Sequence, residues 1–147
     1  MQGKIPLLVL AKFRWIGEQM ENFFVIFNHE LSPEQIAEIS GLGYKHIYRL
    51  PEDLQQSIAN IMAKGDFPLQ TAERIIQWIT GISQKQDGVL IQTEYGITYY
   101  LINRCFEMGL IPYYSTTMRD YQFIHQPDGS TKNIHVFKHV QFRKYIP

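Results

Sequence analysis

A chain of 147 residues with 45% hydrophobic content is the length of one domain and can bury a core without disulfide or metal staples. Its 14 basic residues balance 14 acidic ones, which excludes the global positive field that draws a protein to duplex nucleic acid. Cys105 is the lone cysteine, which excludes an intrachain disulfide and a multi-cysteine metal site and points to a reduced, cytoplasmic setting.

The run Ile5 to Ala11 is apolar but too short to span a bilayer, is followed by Lys12 and Arg14, and has no small-residue cleavage site after it. No membrane association is expected. Residues 1–19 read as an N-terminal extension, either upstream of a native start at Met20 or forming an edge strand or a segment laid across a partner subunit. Residues 20–147 read as a single domain.

Phe23 to Phe27 is a continuous aromatic and β-branched run, the pattern of a strand covered on both faces. It ends in Asn28-His29-Glu30-Leu31. Ser32-Pro33-Glu34-Gln35 then opens a helix, with Ser32 as N-cap, Pro33 in the first helical position and Gln35 completing a capping box; the helix stops at Gly41. Tyr44 to Leu50 is a second strand. Pro51-Glu52-Asp53 starts a helix with Leu54, Ile58, Ile61 and Met62 on one face, ended by Gly65-Asp66-Phe67-Pro68. A further helix carries Ala72, Ile75, Ile76 and Ile79. Asp87-Gly88 leads into a third strand, Val89 to Ile91, which breaks into Gln92-Thr93-Glu94-Tyr95-Gly96 before a helix with Ile97, Leu101, Cys105 and Met108 on one face. After Gly109 a fourth apolar strand, Leu110 to Tyr114, gives way to a polar loop, Ser115-Thr116-Thr117-Met118-Arg119. Alternating runs from Tyr121 to His125 and Ile134 to Phe142 flank Gln126-Pro127-Asp128-Gly129-Ser130, a turn pattern that predicts a C-terminal antiparallel hairpin. The order β-α-β-α-α-β-α-β predicts an α/β fold, a Rossmann-like, mainly parallel sheet flanked by helices.

Parallel strands in such units end on one side, and ligands of open α/β sheets bind outside those carboxyl ends. Three polar clusters are therefore expected to share a groove: Asn28-His29, Gln92 to Gly96, and Ser115 to Arg119. Gly96 beside a helix start lets backbone N–H groups face an anion; plain turn chemistry is the alternative. The Ser-Thr-Thr run reads as a phosphate loop or as a cap. His29 is the histidine best placed for proton transfer, against a simple loop role. His125, His135 and His139 fall on the terminal hairpin, where a solvated strand face is the default, and His46 begins a strand. Tyr95, flanked by Glu94 and Gly96 in a turn, is the aromatic residue expected to contact a ligand, most of the other aromatics being core or rim packing. No helical His-x-x-x-His pair or carboxylate cluster has metal spacing, so neither metal nor cofactor is expected.

The strand end Asn28-His29 with Leu31-Ser32, the Leu50-Pro51-Glu52 helix start, Val89-Leu90-Ile91-Gln92 with its acidic-aromatic-glycine turn, and Gly109-Leu110-Ile111-Pro112 form one pattern. With Ser115-Thr116-Thr117, Arg119 and the closing Phe137-x-His139-Val140-x-Phe142-Arg143, it resembles the small stand-alone ring nucleases of type III CRISPR systems, which have a CRISPR-associated Rossmann fold. The resemblance runs from about Glu21 to Tyr145 and is most specific in the turn after the third strand and in the Thr-Thr-x-Arg segment. The chain departs from it at Thr93, where the family has glycine, and at Met118, where it has a basic residue.

The resemblance implies a homodimer that binds a cyclic oligoadenylate, most often cyclic tetra-adenylate, across its two-fold axis and ends an antiviral signal by cutting it. It implies metal-independent in-line attack of a ribose 2'-hydroxyl on the adjacent phosphate, leaving a linear product with a 2',3'-cyclic phosphate. Arg119 is the implied charge stabiliser, with Thr117 and His29 completing the catalytic set. Asn28, Gln92, Thr93, Glu94, Tyr95, Gly96, Ser115 and Thr116 are the implied ligand-binding residues. Two other readings stand beside it. One is a non-catalytic module that sequesters or senses the same ligand, although about 125 residues from Glu21 onward leave no room for a fused effector domain. The other is a flavodoxin-like phosphate-ester enzyme using His29 or Glu94.

Overall fold

A computed structural model describes residues 20–147. Its elements are β1 (Asn22–Phe27), α1 (Pro33–Gly41), β2 (His46–Arg49), α2 (Glu52–Ala59), α3 (Leu69–Thr80), β3 (Gly88–Gln92), α4 (Tyr95–Glu107), β4 (Ile111–His125) and β5 (Thr131–Lys144). They form a mixed α/β fold around one five-stranded sheet in the order β2-β1-β3-β4-β5. The first four strands are parallel, and β5 returns antiparallel to β4 as a C-terminal hairpin. The strand or segment proposed within residues 1–19 lies outside the described residues.

The apolar runs of β1 and β3 are continuous because helices cover both faces of the sheet. Phe24, Ile26, Val89 and Ile91 face α2, α3 and α4, packing on Leu54, Ile58, Ile75, Ile79, Ile97, Leu101 and Cys105. Phe23, Val25 and Leu90, with Tyr113 and Phe142, face Ile39 of α1 and Tyr44. Alternation along each strand divides the two half-cores between the two faces.

Local chemistry sets the ends of several elements. Ser32 caps α1 with Pro33 in its first turn, and the Ser32–Gln35 capping box closes in both directions. At the far end of α4, Gly109 adopts φ +73°. There Leu110 N–H reaches Cys105 O at 2.9 Å and Gly109 N–H reaches Phe106 O at 3.2 Å, a Schellman closure that needs a residue tolerant of the left-handed region. Gly88 answers a different need: a Cβ there would lie 2.6 Å from the Phe23 ring and 2.9 Å from Tyr44.

Two expectations are corrected. The helix begun at Glu52 ends at Ala59, so Ile61 and Met62 fall beyond it and Met62 is 80% exposed. More consequentially, Ser115 to Arg119 is not a loop. β4 runs unbroken for 15 residues because β5 supplies a partner from Tyr113 to its end; polar composition marks solvent-facing strand as readily as it marks a turn. No helix among the described residues is long and apolar enough to cross a membrane.

Replacing Gly88 with alanine is expected to lower stability by about 1–3 kcal/mol through overpacking against Phe23 and Tyr44, read as a lower denaturant midpoint at unchanged slope. Burial pushes the Cys105 thiol up to about 12. It therefore stays protonated at neutral pH, and its contribution to stability is lost only as the pH rises above the ordinary thiol range. The native protein is expected to resist alkylation by iodoacetamide at neutral pH and to react once denatured.

Candidate functional site

The carboxyl ends of β1 and β3, with the adjoining flank of β4 and β5, enclose an open cleft of about 940 Å³. Its lining includes Asn28, His29, Gln92, Thr93, Glu94, Tyr95, Ser115 and Thr117, so residues from all three predicted clusters meet in it. Parallel pairing of β1 with β3 and of β3 with β4 brings the carboxyl ends of β1 and β3 beside the stretch of β4 that carries Ser115 and Thr117.

Several of these side chains are engaged in holding the site. Backbone pairing of β3 with β4 stops at Leu90 and Tyr113. The Gln92 side chain extends it, its Oε1 accepting from Ser115 N–H at 2.7 Å. Glu94 caps α4 through the Gly96 N–H. The anion position at that helix end is thus filled by the chain's own carboxylate, which corrects the expectation of a free Gly96 backbone donor. Gly96 matters sterically instead: a Cβ would meet Glu94 Oε1 at 2.9 Å and the Phe67 ring at 3.4 Å. Thr93 N–H donates to Thr98 Oγ1 at 3.1 Å, while the Thr93 hydroxyl is buried without a protein partner. A buried unpaired hydroxyl costs about 1–3 kcal/mol; Thr93 lines the cleft, but this oxygen is itself shut off from the cleft surface. Tyr95 is 93% exposed at the rim, and His29 lies edge-on to Phe27 with ring centroids 5.2 Å apart.

The side of the cleft formed by β4 and β5 depends on an irregularity. Pairing shifts between Thr116, opposite Gln141, and Thr117, opposite His139, leaving Val140 as an extra residue in β5. A regular strand would send His139 and Phe142, three apart, to opposite faces; the bulge puts both on the α1 side, with ring centroids 4.6 Å apart. Thr116 stabilises that bulge. Its hydroxyl donates to Gln141 O at 3.1 Å and accepts from Gln141 N–H at 3.2 Å. It therefore clamps the hairpin away from the cleft, correcting its assignment to a phosphate.

His139 is also corrected, from a solvated strand face to a side chain only 6% exposed. Its Nδ1 is 2.5 Å from Ser115 Oγ and its Nε2 2.6 Å from Glu38 Oε1. Glu38 Oε2 accepts from Phe142 N–H at 2.7 Å, and Gln35 Nε2 reaches Ser115 Oγ at 3.3 Å. Gln35 and Glu38, one turn apart on α1, thus grip β4 and β5 together. The nearby Tyr113 hydroxyl is held above its usual range, by burial first and with the charge of Glu38 adding to it. Sequence reading missed Gln35, Glu38 and His139, because period-two alternation hides a bulge that no glycine marks.

Arg119 stands one rung beyond Thr117 on the same face, its guanidinium 5.5 Å from the centroid of Phe137, a cleft-lining ring. It belongs to the rim rather than the floor. It has no carboxylate partner among the described residues, whereas Lys138 is paired with Asp120 and Arg49 with Glu30. Among the described residues the lining holds no lysine or arginine, and Arg119 continues the hairpin face that carries Thr117 and Phe137. Among the described residues no group of three or more His, Cys, Asp or Glu side chains could hold a metal ion.

The Uncharacterized protein MJ1673 family matches residues 21–143, which take in every element of the cleft. The chain is 35% identical over 129 residues to Uncharacterized protein MJ1673 of Methanocaldococcus jannaschii, an alignment covering 87% of this chain and 99% of that protein. No solved structure matches it. The extent of both matches makes this chain a member of the Uncharacterized protein MJ1673 family.

Proposed function

We propose that the cleft binds a cyclic oligoadenylate, cyclic tetra-adenylate foremost, and opens the ring by metal-independent attack of a ribose 2'-hydroxyl on the neighbouring phosphate. The observation that carries this reading is the meeting of all three polar clusters in one cleft at the carboxyl edge of the parallel strands, the position at which open α/β sheets take phosphorylated ligands. The Rossmann-like, CRISPR-associated fold proposed from the sequence agrees with the parallel order of β2, β1, β3 and β4. The cleft, of about 940 Å³, is the size of a small-molecule pocket, about 300–1,000 Å³; two such clefts facing across a homodimer axis would hold a ring of four nucleotides.

The chemistry asked of the protein is geometric and electrostatic. In-line displacement requires the 2'-oxygen, the phosphorus and the leaving 5'-oxygen to be aligned, and holding that geometry removes much of the barrier. Thr117 is a neutral donor for phosphate or sugar oxygens. Tyr95, with Phe137, offers an exposed face on which an adenine can stack. Arg119, unpaired and seated against Phe137, would swing its planar fork onto the phosphate oxygens as charge builds there. His29 would polarise the ribose from the opposite wall. Recognition by neutral donors with one guanidinium suits a small, locally bound anion and a chain of zero net charge.

Incubation with cyclic tetra-adenylate in excess EDTA, with products resolved by chromatography and mass, tests the reading. Linear products ending in a 2',3'-cyclic phosphate are expected. Intact ring that co-elutes with the protein would make it a binding module, and intact ring that does not bind would remove the ligand altogether. In the same assay Arg119→Ala is expected to slow cleavage by about 100-fold, the usual size of losing one transition-state charge contact; near-normal turnover would take Arg119 out of the mechanism.

A further inference from the structure

We propose that Ser115, His139 and Glu38 form a proton relay serving the cleft, with Ser115 receiving the proton of the attacking hydroxyl and His139 storing it. The relay rests on the ring-cleaving reading above and supplies its general base.

Hydrogen-bond counting gives the relay a direction. The Gln35 amide is fixed because its Oε1 accepts the Ser32 N–H of the capping box at 2.8 Å, leaving its NH₂ to donate to Ser115 Oγ at 3.3 Å. The single hydroxyl proton of Ser115 is then directed at His139 Nδ1, 2.5 Å away. On the far side of the ring, Glu38 Oε1 takes the Nε2–H at 2.6 Å while Oε2 is held by Phe142 N–H at 2.7 Å. The chain runs one way, Gln35 to Ser115 to His139 to Glu38, and requires the neutral imidazole with its proton on Nε2. Ser115 and His139 both line the cleft, and Ser115 Oγ retains one lone pair for an incoming hydroxyl.

The step balances as follows. A ribose 2'-hydroxyl donates to Ser115 Oγ as the Ser115 proton passes to His139 Nδ1. The 2'-oxygen bonds to phosphorus, the bond from phosphorus to the 5'-oxygen breaks with its electron pair on that oxygen, and the 5'-oxygen takes a proton from water at the open mouth of the cleft. The imidazolium left behind is almost without solvent, and the Glu38 carboxylate compensates its charge. After product leaves, His139 returns its proton to solvent through Ser115. Ser115 is the group in contact with substrate, and His139 and Glu38 act through it as positioning residues.

The titratable groups that face His139 are Glu38 on α1 and Tyr113 on β4, with His29, Glu30 and Glu94 on the lining of the same cleft. Lys138 is turned to the other face of the hairpin, paired with Asp120. Single-turnover cleavage of cyclic tetra-adenylate by the intact protein, followed from about pH 5 to about pH 9, is expected to rise about tenfold per pH unit and then level off as the imidazole becomes neutral. Ser115→Ala is expected to lose about 100-fold in rate and the limb with it, with ring affinity kept within about threefold when assayed well below its melting transition, which is expected to fall because the Gln35 amide and His139 Nδ1 lose a partner. Glu38→Gln is expected to move the limb to lower pH, because the imidazolium loses its counter-charge. A flat profile in the intact protein, or a Ser115→Ala variant with the full rate and the same limb, would overturn the relay and leave ring cleavage standing. An intact protein that does not cut the ring would overturn both.

Discussion

The carboxylate of Asp87, fully buried at the entrance to β3, organises the sheet on which the cleft depends. It accepts from the backbone N–H groups of Glu21, Asn22 and Gln84, at 3.2, 3.0 and 2.7 Å, and from the Asn22 side chain at 2.9 Å. A buried carboxylate is costly unless its lone pairs are taken up, and here they are occupied by groups from the start of β1 and the approach to β3. The Asp87 carbonyl also accepts from Ile111 N–H at the start of β4. One residue thereby fixes the amino ends of three parallel strands. With the register set there, Phe23 against Gly88 and Gly88 against Ile111, the carboxyl ends of β1 and β3 must emerge side by side. The cleft follows from a constraint at the opposite edge of the sheet.

The second determinant is the contact of α1 with the hairpin. α1 covers a face of the sheet otherwise sealed by aromatic side chains, Phe23, Tyr113 and Phe142. Its Gln35 and Glu38 reach past that apolar layer to Ser115, His139 and the Phe142 backbone. The Val140 bulge makes the contact possible by turning His139 to the α1 side, and the Thr116 hydroxyl supplies hydrogen bonds where the ladder is interrupted. Bulges recur beside functional sites because they re-aim a side chain without shifting the rest of the strand. Beyond the bulge the hairpin carries Arg119, Tyr121, Phe137 and His135 along the face that continues from the cleft.

The strands and helices were legible because their residues agree on a period. The continuous runs Phe23–Phe27 and Val89–Ile91 could only be strands covered on both faces, and the Ser32–Gln35 capping box marked a helix start by side-chain chemistry alone. The clusters Asn28-His29 and Gln92–Tyr95 were recoverable because a parallel α/β order dictates which edge they share. Ser115 and Thr117 do line the cleft, while their segment was misjudged, since a polar run carries no mark that separates a loop from an exposed strand with a partner. Gly96 and Thr116 were assigned to ligand, but each is occupied by a neighbour that only the fold brings near: Glu94 Oε1 in one case and the Gln141 backbone in the other.

By itself, then, the sequence determined the order of elements, the caps, the two-sided burial of the central strands and the edge at which polar residues gather, because each follows from contacts within a few residues or from a fixed period. Tertiary structure alone decided which of those polar groups are free and which are spoken for. Glu38 and His139 lie 101 residues apart, on a helix and a strand, and meet because one extra residue in β5 reverses the facing of His139. That reversal depends on the pairing partner across the hairpin, a relation between distant backbones that local periodicity does not encode.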